Sequence, residues 1–203
     1  VSGGTLVLSP HADDEVLGCV SWLGPATCVY YVGVDEFHVV GREERLAEIA
    51  AVAELLGFSY RVGGFEVNHY DKRRFDLLQE LEALVNELRP ETLLIPAKSY
   101  NYDHQVVHDA ALAATRHHDR NHFVGRVLVY EEPDIYLAQT TPFVPNHFRS
   151  VDIERKLRAN ALHGSQLRGH RAPELLQTMA EHRGRQAGLA HAEGFIALRW
   201  VHR

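Results

Sequence analysis

Two short polar stretches carry the side chains in this sequence best suited to chemistry: Ser9-Pro10-His11-Ala12-Asp13-Asp14-Glu15 and Asn101-Tyr102-Asp103-His104. One histidine and two aspartates from the first stretch, with a histidine from the second, have the composition of a catalytic zinc site. In such a site three nitrogen and oxygen ligands hold the ion and a further position stays open to water. Two adjacent carboxylates do not both turn easily toward one ion. One can therefore ligate while its neighbour takes a proton from the activated water, the division of labour of a metal hydrolase. A plainer reading of Asp13-Asp14-Glu15 stands beside this one: a helix N-cap with acidic first-turn residues, which the helix dipole favours. His104 and His108, four residues apart, fit a plain helix face as well. Residue 105 is Gln, so the pair lacks the glutamate base of a His-Glu-x-x-His zinc protease. A Gly-x-Ser-x-Gly elbow, a phosphate-binding P-loop and a Gly-x-Gly-x-x-Gly after the first strand are absent from the sequence.

Two loops so far apart in sequence need a scaffold that ends both at one place. Thr5-Leu6-Val7-Leu8-Ser9 reads as a buried strand, and residues 14–23 follow with helical spacing until Gly24-Pro25. Residues 27–34, β-branched and aromatic, form a second buried strand. Residues 42–56 form an amphipathic helix stopped by Gly57, and 60–67 a further strand. Residues 75–88 form another helix, closed by Pro90. The run Thr92-Leu93-Leu94-Ile95-Pro96 is again a buried strand, followed by a polar loop and a helix over 104–116. A strand at 126–130 leads into an irregular stretch, 136–150, with Pro142 and Pro145. Asp152 then caps a helix reaching about His163, Pro173 opens one reaching about Gly188, and 195–201 closes the chain as a strand. Alternating strands and helices predict a single α/β domain over residues 1–203. It is Rossmann-like, with three α/β/α layers, a mostly parallel sheet, and the site at the carboxyl ends of the strands.

Composition narrows the class. With 203 residues, 45 % hydrophobic and 24 % charged, the chain is an ordinary globular protein able to bury one core. The formal net charge of −6 and the lack of a basic stripe argue against nucleic acid as a partner. No apolar run approaches the roughly 20 residues of a membrane helix, and no signal peptide is visible at the start of the sequence. Cys19 and Cys28 read as free thiols in a reducing compartment, so the expectation is a cytoplasmic protein.

Several motifs occur in an order that resembles a known family, the LmbE-like (PIG-L-like) zinc-dependent N-acetylglucosaminyl deacetylases. Pro10-His11-Ala12-Asp13-Asp14-Glu15 matches its Pro-His-x-Asp-Asp-Glu, and Arg45-x-x-Glu48 leading into Leu55-Leu56-Gly57 matches its Arg-x-x-Glu helix. Asn101-Tyr102-Asp103-His104-x-x-x-His108 stands where the family has His-Pro-Asp-His-x-x-x-His. Lys156, His163-x-Ser165-Gln166 and Ala192-Glu193-Gly194-Phe195 resemble its C-terminal elements. The resemblance implies zinc held by His11, Asp14 and His104, Asp13 as the base that activates water, and Asp103 orienting the ligand side of its loop. By the same comparison His108 is structural, while Arg45 and Glu48 either touch substrate or form an internal ion pair.

One departure matters. The family's first histidine of His-Pro-Asp-His is Asn101 here, and the proline is Tyr102. An asparagine can donate a hydrogen bond to an oxyanion but cannot deliver a proton at neutral pH. The implied activity is hydrolysis of a C–N amide bond, removing acetyl from an N-acetylated amino sugar or its conjugate, a small-molecule partner. Two alternatives share the site: an amidase or tailoring enzyme on another N-acyl compound such as a natural product, and a metal-binding protein without turnover. A homo-oligomer is compatible with the sequence. Loops at 35–41, 68–74 and 134–148 are expected to shape the pocket.

Overall fold

The computed structural model describes residues 3–34, 40–118, 120–138 and 142–202. Its framework is a seven-stranded sheet built from β1 (Thr5–Ser9), β2 (Thr27–Tyr31), β3 (Ser59–Val62), β4 (Thr92–Pro96), β5 (Arg126–Tyr130), β6 (His147–Ser150) and β7 (Ala192–Trp200). The spatial order is β3-β2-β1-β4-β5-β7-β6. The first five strands run parallel, and β7 pairs antiparallel with both β5 and β6.

The period-two alternation of the apolar strands decides which helices lie where. Leu6 and Leu8 of β1, Leu93 and Ile95 of β4, and Val127 and Val129 of β5 face one core. There they meet Leu77, Leu81 and Val85 of α3 (Arg74–Leu88) and Val107, Ala111 and Ala114 of α4 (Tyr102–Ala114). Val7, Leu94, Leu128 and Tyr130 point to the other face. That face packs on α1 (Asp14–Gly18), α2 (Arg42–Leu56), α6 (Ile153–Leu162) and α7 (Pro173–Ala187) through Val16, Ile49, Val52, Ala159 and Ala180. The result is the expected Rossmann-like three-layer α/β/α arrangement. Among the described residues no helix is long and apolar enough to cross a membrane.

Four local expectations give way. The helix read over 14–23 breaks: α1 ends at Gly18, and a 3-10 turn, Val20–Trp22, follows Cys19. Gly18 packs so closely on β5 that a Cβ there would sit 2.5 Å from the Tyr130 ring and 2.8 Å from the Glu131 carbonyl oxygen. The stretch 136–150, read as irregular, begins inside α5 (Pro133–Ala138) and ends in β6. β3 is shorter than the run read over 60–67, and β7 begins at Ala192, earlier than 195.

The topology creates the place for a site. The chain moves outward from β1 through β2 to β3, then returns to add β4 on the opposite side of β1. At such a switch point the loops leaving the two strands diverge and open a crevice beyond their carboxyl ends. β1 and β4 are in register, Thr5 against Thr92 and Val7 against Leu94. The stretches after Ser9 and Pro96 therefore emerge side by side.

Candidate metal centre

Those two loops bring together the residues that the sequence separates by some ninety positions. His11, Asp14 and His104 are all buried, and they form the one group of potential metal ligands among the described residues, each offering one atom within 4.8 Å of the others. The His11 Nδ1 to Asp14 Oδ2 distance is 3.3 Å, His11 Nδ1 to His104 Nε2 is 3.2 Å, and His104 Nε2 to Asp14 Oδ2 is 3.6 Å. Two imidazole nitrogens and one carboxylate oxygen in a triangle of this size suit a transition-metal ion. The fit extends to the unmet demands of the group, because the second oxygen of Asp14 is buried without a hydrogen-bond partner.

The other ring nitrogens are held by carboxylates. Asp103 Oδ2 lies 3.2 Å from His11 Nε2 and also accepts the Asn68 backbone N–H at 2.6 Å. Asn68 takes φ 67° to present that N–H, a left-handed conformation that asparagine tolerates. Glu132, just past the end of β5, reaches His104 Nδ1 at 2.9 Å. Carboxylates behind imidazoles fix ring orientation and raise ligand basicity. Burial of His11 works against its charge, but Asp14 and Asp103 prevail and lift its pKa to about 10. Burial and the charge of Asp14 push Glu132 up to about 7. Asp14, despite its burial, is held well below the usual carboxylate range by His104 and His11.

Asp13 behaves differently from Asp14. It occupies the N-cap position of α1 with Asp14 and Glu15 in the first turn, as the plainer reading has it, but its side chain makes no capping hydrogen bond. One oxygen accepts from Arg171 Nη1 and the other is buried without a partner. Burial raises its pKa while Arg171 opposes the rise. Asn101 is the N-cap of α4: its Oδ1 accepts the Asp103 N–H at 3.0 Å, leaving the side-chain NH2 as the group it can offer to the cleft. His108 stands apart from the triangle, with Nδ1 2.8 Å from the Pro96 carbonyl oxygen.

A cleft of about 200 Å³ opens over His11. Its walls include Arg45, Arg168 and Arg171 with Asn68, Asn101 and Gln166. Of the loops expected to shape it, 68–74 contributes Asn68, while residues 35–39 and 139–141 lie outside the described residues. The described part of 134–148 is not among the lining residues. The segment 164–171 takes that place, and it is pinned by α2: Glu48 accepts from Ser165 through both the backbone N–H and the hydroxyl, each at 2.7 Å. Arg45, one turn earlier on the same helix, reaches the cleft. Glu132 and Arg171 were not found from the sequence. Glu132 had one signal, its place at the carboxyl end of a buried strand; Arg171 had none.

The remaining motifs build the frame. Glu15 meets His163 Nε2 at 2.8 Å, both fully buried. Lys156 Nζ donates to Glu193 Oε1 at 2.6 Å and to the Leu17 carbonyl at 2.7 Å. Glu193 in turn accepts the N–H groups of Val20 and Ser21.

No family model and no curated protein matches the sequence. Solved structures do match in shape. The conserved protein TT1542 from Thermus thermophilus superposes with a TM-score of 0.79 at 24 % identity, covering 98 % of this chain and 96 % of that one. GalB, the 4-carboxy-2-hydroxymuconate hydratase from Pseudomonas putida KT2440, gives 0.76 at 21 % identity over 99 % of each chain. The N,N'-diacetylchitobiose deacetylase from Pyrococcus horikoshii gives 0.73 at 18 % identity, covering 98 % of this chain and 84 % of that one. At these identities the likeness establishes the fold.

Proposed function

We propose that this chain is a zinc-dependent amide hydrolase of the LmbE-like (PIG-L-like) deacetylase family, removing acetyl from an N-acetylated amino sugar or its conjugate. The observation that carries the reading is the triangle of His11, Asp14 and His104 beside a separate carboxylate, Asp13, with one oxygen uncommitted. The whole-chain likeness to a chitobiose deacetylase supports it.

In this reading His11, Asp14 and His104 hold the ion. When bound, zinc supplies Lewis acidity toward the amide carbonyl and the attacking water. Asp103 and Glu132 keep the two imidazoles oriented. Asp13 takes a proton from the water at its uncommitted oxygen. Arg171 keeps the carboxylate in place. As the C–N bond breaks, Asp13 returns the proton to the departing nitrogen, so water and amide become acetate and amine. Asn101 donates its side-chain N–H to the oxygen that gains charge. The same reading treats residues 1–203 as one catalytic domain acting in the cytoplasm, which the free thiols Cys19 and Cys28 support.

Because GalB, a hydratase, shares the fold, fold cannot choose the reaction. The test is amine release from a panel of N-acyl amino sugars by zinc-loaded protein, with metal content measured alongside. Amine released by the wild type and lost in Asp13→Asn is the expected result. A zinc-loaded protein that releases no amine across the panel overturns the reading.

A further inference from the structure

We propose that Tyr70 is a positioning residue for the metal centre: its hydroxyl and ring, together with the Asn68 N–H, set where the His11 imidazole points. The proposal rests on His11, Asp14 and His104 as the metal ligands and goes beyond them, since Tyr70 is neither one of them nor among the residues lining the cleft. Three contacts converge on His11 from the segment between β3 and α3. Tyr70 is fully buried, and its Oη donates to the Pro10 carbonyl, sixty positions away in sequence, at 2.6 Å. The peptide unit that contains this carbonyl also contains the His11 N–H, which goes to Asp14 Oδ2 at 2.7 Å. A peptide unit is planar and rigid, so holding both its polar groups fixes the backbone from which the imidazole projects. The Tyr70 ring stacks on the His11 ring with centroids 6.2 Å apart and planes 23° from parallel, within the range of offset aromatic pairs. Asn68 gives its N–H to the Asp103 oxygen that faces His11 Nε2. Backbone, ring face and Nε2 are thus held from one short segment, and Nδ1 is left turned to Asp14 and His104.

The fold makes a fitted place for the phenol. Gly33, just past β2, lies where an added Cβ would stand 2.7 Å from the Tyr70 hydroxyl oxygen and 2.3 Å from the Phe65 carbonyl oxygen. A side chain there would displace the hydroxyl or the segment that carries it. Phe65 braces the other side of the ring edge-on, with centroids 6.2 Å apart at 80°. Phenylalanine would fill the same core volume without a buried hydroxyl to satisfy; what the oxygen adds is the bond to Pro10. That bond matters because a zinc–imidazole distance is short, roughly 2.0–2.1 Å, and leaves little tolerance for a swung ring. A ligand held in place before the ion arrives also spares binding the cost of ordering it.

The test compares the zinc affinity of Tyr70→Phe with that of Tyr130→Phe by competition with a chromophoric chelator. Tyr130 is the matched control: it is equally buried, its hydroxyl donates to the Leu8 carbonyl at 2.8 Å, and its ring lies in the core on the opposite face of the sheet. Urea unfolding in EDTA should show both variants less stable than the wild type. Only Tyr70→Phe should bind zinc about tenfold or more weakly, the scale of losing a group that orients a metal ligand. Only Tyr70→Phe should change the visible spectrum of the cobalt-substituted protein. Asn68→Val, which disfavours the left-handed backbone that aims the N–H at Asp103, should weaken zinc as well. Asn68→Gly, which keeps that backbone and the N–H, should bind zinc as the wild type does. Wild-type zinc affinity in Tyr70→Phe or in Asn68→Val overturns the proposal, as do equal losses in the two tyrosine variants or a wild-type cobalt spectrum in Tyr70→Phe. A wild type that takes up no zinc refutes the ligand set and the proposal with it. A protein that shows these shifts but releases no amine keeps the proposal and refutes the hydrolase reading.

Discussion

Glu132→Gln separates the two jobs of a buried carboxylate. In the protein without metal, Glu132 is 3 % exposed and lies 2.9 Å from His104 Nδ1, with its other oxygen unpartnered. Burial and repulsion from Asp14 lift its pKa to about 7, so above that pH its charge is borne at a cost. Glutamine keeps the shape and removes the charge. Metal-free Glu132→Gln should therefore match or exceed the wild type in unfolding free energy at about pH 8. With zinc the sign reverses. The carboxylate raises the basicity of His104, and losing such a partner weakens metal binding about 10- to 100-fold, or roughly 1.4–2.7 kcal/mol. Competition with a chromophoric chelator gives the zinc affinity, and urea unfolding in EDTA gives the stability of the free protein. Zinc affinity within about twofold of the wild type would refute the positioning role, and a metal-free variant less stable by more than about 1 kcal/mol would refute the electrostatic account.

Three further outcomes follow from the same geometry. Asp13→Asn should retain zinc, measured by metal analysis, while amine release falls by roughly two to four orders of magnitude; loss of the metal would exchange the roles of Asp13 and Asp14. Asn101→Ala should lower the rate by about 10²- to 10³-fold, the scale of an oxyanion donor, and lower stability by about 1 kcal/mol because it also removes a helix cap; a kinetically silent variant would leave Asn101 as a cap alone. The pairing with Glu15 holds His163 above its ordinary pKa in spite of burial. A raised folded-state value means stability that is fully present below about pH 6.5 and is lost as the pH rises through the folded pKa. Urea midpoints should accordingly fall more steeply toward alkaline pH in the wild type than in His163→Gln, and parallel profiles would count against the pair.

What the sequence revealed and what it hid divide along physical lines. β1, β4 and β5 were legible because Leu6, Leu93 and Val127 alternate with Val7, Leu94 and Leu128 between two cores. α2 was legible through its apolar spacing and Gly57, which takes φ 74° at its end. β6 was not: His147-Phe148-Arg149-Ser150 lies at the sheet edge, only partly buried, and has no apolar rhythm to read. The break after Gly18 was hidden as well, because its causes are the Tyr130 ring pressed on Gly18 and the capture of the next N–H groups by Glu193, 173 positions from Val20. The site followed the same rule. The proposed ligands sit in two compact motifs, whereas Glu132 and Arg171 matter through contacts that no local spacing encodes.

The knot of Lys156 and Glu193 bears on how the protein is made. Among the described residues β7 is the last strand in sequence, yet it lies inside the sheet between β5 and β6. Its Glu193 closes the backbone N–H groups just beyond the helix that carries Asp14. A nascent chain can lay down β1 to β5 as it leaves the ribosome, but β5 then presents an open edge, and the end of α1 lacks its acceptor. Only when residue 193 arrives do that edge and that helix end find their partners together. The group of His11, Asp14 and His104 is thus locked by a residue some ninety positions beyond His104, and a chain that stops before Glu193 has an unfinished sheet and an unsecured Asp14.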